Sequence, residues 1–240
     1  MLEAAGRWTW LWKPPGTPVF PLHEPGESPS PSLLDWWRTN PAFPQGVFPA
    51  GFEGGIAHRL DTATSGLVLV ASTPAELEAL RGLFASRALR KFYVFRSPHG
   101  GAAATIEVPI GHHPKSRRRM VVADPPHRAV RGRWYDAWTR LTPLAEEPGG
   151  WLWQAEIRTG VMHQVRVHAQ YGGAPLTADP LYAARPSTDA GVEAGAPTAP
   201  AGFLLHHAQV VFPGGHRSPL APLPDGTLPS LRISMAHGVV

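Results

Sequence analysis

The stretch that most constrains this chain is residues 56–71, IAHRLDTATSGLVLVA, where a polar cluster changes abruptly into a compact apolar run. The apolar run is short and rich in Val and Leu, which is typical of a buried strand rather than a helix. The polar cluster is therefore predicted to form a loop that leads into a core strand, with Gly66 as its pivot. A carboxylate fixed on such a loop, here Asp61, is a candidate for catalysis. Capping of backbone amides is the commoner role of an aspartate at such a turn.

Composition narrows the class of protein. The 240 residues suffice for one domain with a real core, and the absence of cysteine excludes disulfides, thiolate zinc sites and a cysteine nucleophile. No apolar run reaches membrane-spanning length and no signal-peptide pattern opens the chain, so we expect a cytoplasmic protein without a membrane partner. The formal charge is +4 and the basic residues are mostly arginines, which suit nucleic acid but do not identify it.

The remaining pattern predicts several strands and a few short helices. Strand-like alternation covers residues 7–11, 87–95, 105–110, 134–141, 151–159 and 204–213. One helix is predicted over residues 32–38 with Ser32 as its cap, and its two tryptophans, Trp36 and Trp37, are interpreted as packing residues. A second begins after Thr73 with a capping box closed by Glu76, and a third begins near residue 162.

The most basic segment is the predicted hairpin of residues 111–122, GHHPKSRRRMVV. Its cations, Lys115 and residues 117–119, are suited to contact a nucleic-acid backbone, because phosphate neutralisation supplies much of nucleic-acid affinity. A solvated basic loop remains the alternative. A metal site at residues 112–113 is not supported because no carboxylate lies close in sequence, and His163 and His168 are five apart on a helix, so their side chains diverge.

Three motifs, in order, resemble those of the RluA-type family of RNA pseudouridine synthases. The first is HRLD at residues 58–61 followed by TSGL at 64–67, the second is K-x-Y at 91–93, and the third is TGVMHQVRVH at 159–168. A starting strand with its K-P-x-G turn (Lys13, with a solvated turn lysine as the alternative) and a final strand add to the resemblance. It covers nearly the whole chain.

The resemblance implies a chemistry and a site. Enzymes of this family break the N1–C1′ bond of a uridine within RNA and re-form the link through C5, without a cofactor. It implies that Asp61 is the catalytic carboxylate, that Tyr93 packs against the uracil with its hydroxyl available for proton transfer at C5, and that Arg166 pairs with Asp61 and orients it. Arg59 is expected to fill the space left by the flipped base. The predicted substrate or RNA contacts are His58, Arg59, Leu60, Thr64, Lys91, Lys115, Arg117, Arg118, His163, Gln164 and Val165.

The resemblance also implies an α+β fold with a central mixed, mostly antiparallel sheet, flanking helices and long loops. We expect one catalytic domain over residues 1–240, with no room for an upstream S4 module and with a flexible surface insertion at 183–202. The sequence departs from the family pattern at four positions. Ala63 replaces a residue that is usually acidic, Val161 replaces Arg, Ala178 replaces Gly and His207 replaces Ala.

The sequence therefore predicts a monomeric RNA pseudouridine synthase that acts on ribosomal or transfer RNA, with a stem-loop as the expected substrate and no metal. A catalytically inactive RNA-binding module is the alternative, because Ala63 and Val161 erode the motif surroundings. The joint presence of Asp61, Tyr93 and Arg166 argues against it. A hydrolase using Asp61 with His58 is poorly supported, because no second carboxylate stands nearby for paired acid–base chemistry.

Overall fold

The computed structural model describes residues 8–22, 30–40, 48–49, 53–124, 130–182 and 202–232. The insertion predicted at 183–202 lies outside these ranges except for Gly202. In chain order the elements are β1 (Thr9–Lys13), α1 (Leu33–Thr39), β2 (Ser65–Val70), α2 (Pro74–Ala85), β3 (Arg90–Ser97), β4 (Ala104–Ile106), β5 (Ile110–His112), β6 (Met120–Val122), β7 (Arg131–Tyr135), β8 (Thr139–Glu147), β9 (Gly150–Ile157), α3 (Gln164–Tyr171) and β10 (Leu205–Val211).

Within the described residues, two sheets organise the chain. The main sheet has seven strands in the order β1-β2-β10-β3-β9-β8-β4, and a second sheet has the order β6-β5-β7. Strands β2 and β10 run parallel, whereas their neighbours pair antiparallel. This architecture confirms the predicted α+β fold with a mixed, mostly antiparallel sheet.

Strand β2 is buried along its full length because both faces of the main sheet are covered. Successive side chains of a strand point to opposite faces. Val68 and Val70 accordingly pack in one core with residues of α1 and α3, while Leu67 and Leu69 pack in another core against α2. Covering on both sides explains why this strand is a continuous apolar run and not an alternating one.

Gly66 marks the point where the Asp61 loop becomes strand, as predicted. Its φ of +115° lies outside the range that L side chains readily adopt. A Cβ at this position would also collide with the backbone of His207 on β10. The close approach of the two strands at this point therefore requires glycine.

Both predicted N-terminal caps form. Ser32 and Asp35 make a reciprocal capping box on α1, and Thr73 accepts a hydrogen bond from the backbone N–H of Glu76 at the start of α2. The Glu76 carboxylate instead accepts from the N–H of Ser72, so the second box is displaced by one residue. On α1, Trp37 packs in the core whereas Trp36 is 48% exposed, so the packing prediction is wrong for Trp36.

Two predicted strands are each divided between the sheets. Residues 105–110 split into β4 and β5 around Pro109, which has no N–H to donate to a ladder. Residues 134–141 split into β7 and β8, where the N–H of Trp138 donates to the hydroxyl of Thr159 and not to a neighbouring strand. The longest described helix, α2, has 12 residues, and no helix in the described ranges could cross a membrane.

Candidate active site

Three elements bring the predicted catalytic residues together on the α3 side of the main sheet. Asp61 lies in the loop before β2, Tyr93 on β3, and Arg166 on α3. The Nη1 atom of Arg166 is 3.7 Å from Oδ2 of Asp61, whose side chain is 31% exposed. Burial, and next the negative charge of Asp61, raise the pKa of Tyr93 well above its usual value. The sequence-predicted trio therefore forms one site.

Lys13 anchors the loop that carries Asp61. Its ammonium group is fully buried and donates to the carbonyl oxygens of Pro14, Thr17 and Thr62 at 3.0, 2.6 and 3.1 Å. The N–H of Gly16 donates to the same Thr62 carbonyl. Burial lowers the pKa of Lys13 to about 8, while the charge of Asp61 acts in the opposite direction. The alternative of a solvated turn lysine is wrong.

Arg166 is shared between two carboxylates. Its Nε and Nη2 atoms donate to the two oxygens of Asp179 at 2.8 and 2.7 Å, and the Asp179 side chain is completely buried. Asp179 Oδ1 also accepts from the N–H groups of Leu181 and Tyr182. Burial lowers the pKa of Arg166, but the hydrogen bond and charge of Asp179 outweigh it, and the net shift is upward. The predicted pairing with Asp61 is thus the longer of two contacts.

His163 lies near the same Asp61 oxygen as Arg166. Its Nε2 atom is 3.8 Å from Asp61 Oδ2, and its Nδ1 atom is 2.9 Å from the hydroxyl of Tyr182. That hydroxyl accepts a 2.8 Å hydrogen bond from the N–H of Met120 at the start of β6. Burial is the main cause that lowers the pKa of His163, and it favours the neutral imidazole. The site thereby connects to the second sheet.

Gln164, predicted to contact RNA, is instead used inside the protein. Its side-chain oxygen accepts from the Thr159 hydroxyl and the Val161 N–H, and its side-chain nitrogen donates to the Trp138 carbonyl and the Thr139 hydroxyl. These four hydrogen bonds complete the capacity of a glutamine amide. Gln164 therefore fixes the turn before α3 and has no hydrogen-bonding group left for RNA.

The half-buried His58 and the buried His207 form an aromatic group that contacts Tyr93 through His207. The His207 ring stacks on Tyr93 with centroids 4.5 Å apart and meets the His58 ring edge-on at 5.6 Å. His58 Nε2 accepts from the N–H of Leu69, and His207 Nδ1 donates to the carbonyl of Leu67. Burial lowers the pKa of His58 to about 3, with a smaller contribution from the charge of Lys91. Because its Nε2 lone pair already accepts from Leu69 and its pKa is low, His58 is poorly suited to accept a proton as the hydrolase alternative requires.

The other predicted RNA contacts divide into buried and exposed groups. Lys91 is buried and donates to the carbonyl of Thr159 at 2.8 Å, so it is not on the RNA-facing surface. Buried side chains also include Leu60, Thr64 and Val165. Exposed ones are Arg59 on the Asp61 loop and, on the β5–β6 hairpin, Lys115, Arg117 and Arg118.

The hairpin borders the site. The guanidinium of Arg119 lies 5.6 Å from the centre of the Tyr182 ring, and the charge of Arg118 contributes to the lowered pKa of His163 after burial and the Arg166 charge. Val161, at the position of the family arginine, packs in the apolar cluster under this hairpin with Ile110 and Met120. The described residues contain no cluster of three or more His, Asp or Glu placed to hold a metal.

Comparison with known proteins gives the family. A sequence model described as RNA pseudouridylate synthase matches residues 10–171, a range that includes Asp61, Tyr93 and Arg166. The chain belongs to the RluA-type family of RNA pseudouridine synthases, isomerases that act on RNA.

Relatives of this chain are longer proteins. It is 36% identical over 137 residues to an uncharacterized RNA pseudouridine synthase of Chloroflexus aurantiacus, covering 55% of this chain and 40% of that protein. It is 32% identical over 139 residues to ribosomal large subunit pseudouridine synthase D of Escherichia coli K12, covering 56% and 39%. These matches therefore span about two fifths of each relative's length.

Solved structures show the same fold. The human protein named RNA pseudouridylate synthase domain containing 4 aligns with a TM-score of 0.65 and 20% identity, covering 93% of this chain and 88% of the other. The human domain-containing 1 protein aligns with a TM-score of 0.52 and 25% identity, covering 66% and 63%.

Proposed function

We propose that this protein is an RNA pseudouridine synthase that isomerises a uridine in ribosomal or transfer RNA, with Asp61 as its catalytic carboxylate. The observation that carries the proposal is the meeting of Asp61, Tyr93 and Arg166 at one partly open site. Each comes from a different motif, and each matches the corresponding family residue. A chance resemblance in one motif would not produce this convergence.

Asp61 is the group suited to act on the uridine. Its side chain is partly exposed, whereas the neighbouring Asp179 is closed off by Arg166 and two backbone N–H groups. In the proposed reaction the N1–C1′ bond breaks, the uracil turns, a C5–C1′ bond forms, and the hydrogen lost from C5 is balanced by one gained at N1. The reaction is an isomerisation and needs no other reactant.

The uridine must leave the helical stack to reach this carboxylate. Arg59 is exposed two residues before Asp61, which is where a side chain is needed to occupy the vacated space. On the β5–β6 hairpin, Lys115, Arg117 and Arg118 supply positive charge beside the site for the phosphates of a folded stem-loop. These exposed cations are the RNA contacts that we propose.

Tyr93 serves mainly as a packing surface for the uracil. Its raised pKa, caused by burial and by the charge of Asp61, keeps the hydroxyl protonated at neutral pH. Removing a proton from C5 would require an ionised base, so the phenol is poorly suited to that step on its own. The stack on His207 instead holds the ring plane in place for contact with a flipped base.

The proposal is tested by mapping pseudouridine in total RNA from cells with and without the gene, using carbodiimide-dependent stops of primer extension. We expect one or more sites to disappear in the deletion strain and to return with the wild-type gene but not with Asp61→Asn. If no site changes, the catalytically inactive RNA-binding module becomes the better interpretation, with Val161 as the first position to revert to Arg.

A further inference from the structure

We infer that His163 and Tyr182 are positioning residues that aim the Asp61 carboxylate, with the Tyr182 hydroxyl fixing the imidazole so that its Nε2–H faces Asp61. The inference rests on the proposed function for its catalytic meaning. Its structural content, a defined tautomer held by a tyrosine, stands on the hydrogen bonds alone.

The tautomer follows from the partners of the Tyr182 hydroxyl. A phenol has one proton to donate and accepts through its oxygen. The N–H of Met120 can only donate, so at 2.8 Å it occupies the oxygen as an acceptor. Among the described residues, the one acceptor left for the Tyr182 proton is Nδ1 of His163 at 2.9 Å. A neutral imidazole that accepts at Nδ1 carries its own proton at Nε2.

The proton at Nε2 faces the catalytic carboxylate. Nε2 of His163 and Nη1 of Arg166 lie 3.8 and 3.7 Å from the same oxygen, Oδ2 of Asp61. Both donors therefore face Oδ2. Oδ1 of Asp61 makes no hydrogen bond within the described part of the chain, and it is left to face the uridine. Both distances exceed hydrogen-bond length, as catalytic contacts often do before the substrate is bound.

The surroundings favour an imidazole without charge. His163 is faced by Asp61 on the loop, by Arg166, Asp179 and Tyr182 from the α3 side, and by Arg118 on the hairpin. Burial lowers its pKa more than the two carboxylates raise it. A neutral imidazole orients the Asp61 carboxylate through its N–H group, while Arg166 supplies the positive charge.

The backbone at His163 is consistent with a functional position. His163 has a φ of +55°, in the left-handed region that residues other than glycine seldom adopt. Such conformations are energetically unfavourable and occur preferentially at active and ligand sites. Here the left-handed residue sits at the N-cap of α3 without making a side-chain cap, so its side chain serves the site and not the helix.

The first test reads the tautomer directly. Long-range 1H–15N correlation spectra of the labelled full-length protein at pH 7.5 distinguish protonated from unprotonated imidazole nitrogens, and the His163→Gln spectrum assigns the His163 signals. We expect a proton at Nε2 in wild type, and a mixture of tautomers in Tyr182→Phe, which keeps the ring and loses the hydroxyl. A wild-type proton at Nδ1, or a doubly protonated ring, would overturn the inference whether or not the enzyme is active.

The second test uses single-site kinetics on the mapped RNA. We expect kcat to fall about 10- to 100-fold in His163→Leu, the range for losing a hydrogen bond to a charged group, with KM for RNA unchanged. His163→Gln should recover part of the loss, because its amide nitrogen also donates. Tyr171→Phe, at an exposed tyrosine, is the matched control for Tyr182→Phe. A rise in KM with unchanged kcat would mean that His163 contacts RNA and does not aim Asp61.

Failure of the proposed function and failure of the positioning role of His163 give different results in these experiments. If wild-type protein makes no pseudouridine, the proposed function fails, and the spectra still decide the tautomer. If wild type is active and Asp61→Asn is not, while His163→Leu retains full kcat, the positioning role alone is wrong.

Discussion

Two carboxylates meet the same guanidinium, and they are held in opposite ways. Asp179 receives two hydrogen bonds of 2.7 and 2.8 Å from Arg166, together with two backbone N–H groups, and has no exposed side-chain surface. Asp61 is 3.7 Å from Arg166 and 31% exposed. One aspartate has all its partners inside the protein, and the other has capacity left for a substrate.

The difference indicates that Asp179 has a structural role and that Asp61 is the carboxylate available for chemistry. A buried charge must be paired and hydrogen-bonded, or its desolvation is prohibitive. The Arg166–Asp179 pair meets that requirement and so presents Arg166 to Asp61 in a fixed direction. A carboxylate that must contact a uridine and then release it benefits from longer, incomplete contacts. The comparison predicts that changes on the buried side alter stability, and that changes at Asp61 alter activity.

The largest effect on stability is expected from acid, which tests the closed interior around the site. His168, His206 and His207 are fully buried. Burial lowers the pKa of His168 and of His206 to about 4, and that of His207 well below its usual value. As pH falls below about 6.5 the unfolded chain gains protons that the folded protein excludes, so stability is lost between about pH 6.5 and 4.

Each such histidine contributes about 1.4 kcal/mol per pH unit in that window, or about 4 kcal/mol per unit for all three. Urea unfolding at pH 7.5, 6.5, 6.0 and 5.5 measures the slope. His168→Gln should reduce the slope by about one proton, whereas His99→Gln, at an exposed position, should leave it unchanged. Equal stability at pH 7.5 and 5.5 would contradict the description of these imidazoles as buried and neutral.

The next effect concerns the buried carboxylate itself. Asp179→Asn leaves the Arg166 charge without its hydrogen-bonded partner, which should lower the free energy of unfolding by about 3–5 kcal/mol. Asp61→Asn is the matched control, because it removes a carboxylate from the same guanidinium at the open end. It should change stability by less than about 1 kcal/mol. Equal losses in the two variants would erase the distinction between the two aspartates.

The smallest effect comes from the residue before Asp179. Ala178 has a φ of +53° where the family has glycine. Left-handed backbone costs an L residue about 1–2 kcal/mol, and the extra freedom of glycine in the unfolded chain returns about 0.4–1 kcal/mol of that. Ala178→Gly should therefore stabilise the fold by about 0.5–1 kcal/mol in urea unfolding.

Ala75→Gly provides the opposite control for this substitution. Ala75 is exposed in the first turn of α2, where glycine is unfavourable by up to about 1 kcal/mol. A loss of stability at both positions would mean that the local contacts of Ala178 outweigh its backbone strain.

Sequence patterns were sufficient for the elements whose causes are local. The apolar run of β2, the glycine at residue 66 and the Ser32 and Thr73 caps depend on neighbouring residues, and the structure contains them. The motif resemblance predicted that Asp61 and Arg166 lie at one site. The division of residues 105–110 between two sheets could not be read from alternation, because each half is a strand with a different partner.

The partners of charged groups were the part that the sequence did not contain. Which of two aspartates takes the short bonds of Arg166 is set by tertiary packing, and so is the burial of Lys13 under the Asp61 loop. The sequence motifs gave no role to Asp179 or Tyr182. The requirement that a buried carboxylate be paired identifies that role only once burial is known.

The central claim is that Asp61 performs the chemistry while the buried pair supports it, and one paired measurement tests it most directly. Purified wild-type and Asp61→Asn proteins are incubated with RNA from the deletion strain, pseudouridine is quantified at the mapped site, and urea unfolding is recorded on the same samples. The account predicts that Asp61→Asn forms no detectable pseudouridine and unfolds at nearly the wild-type urea concentration. Pseudouridine formed at the wild-type rate by a folded Asp61→Asn protein would contradict it.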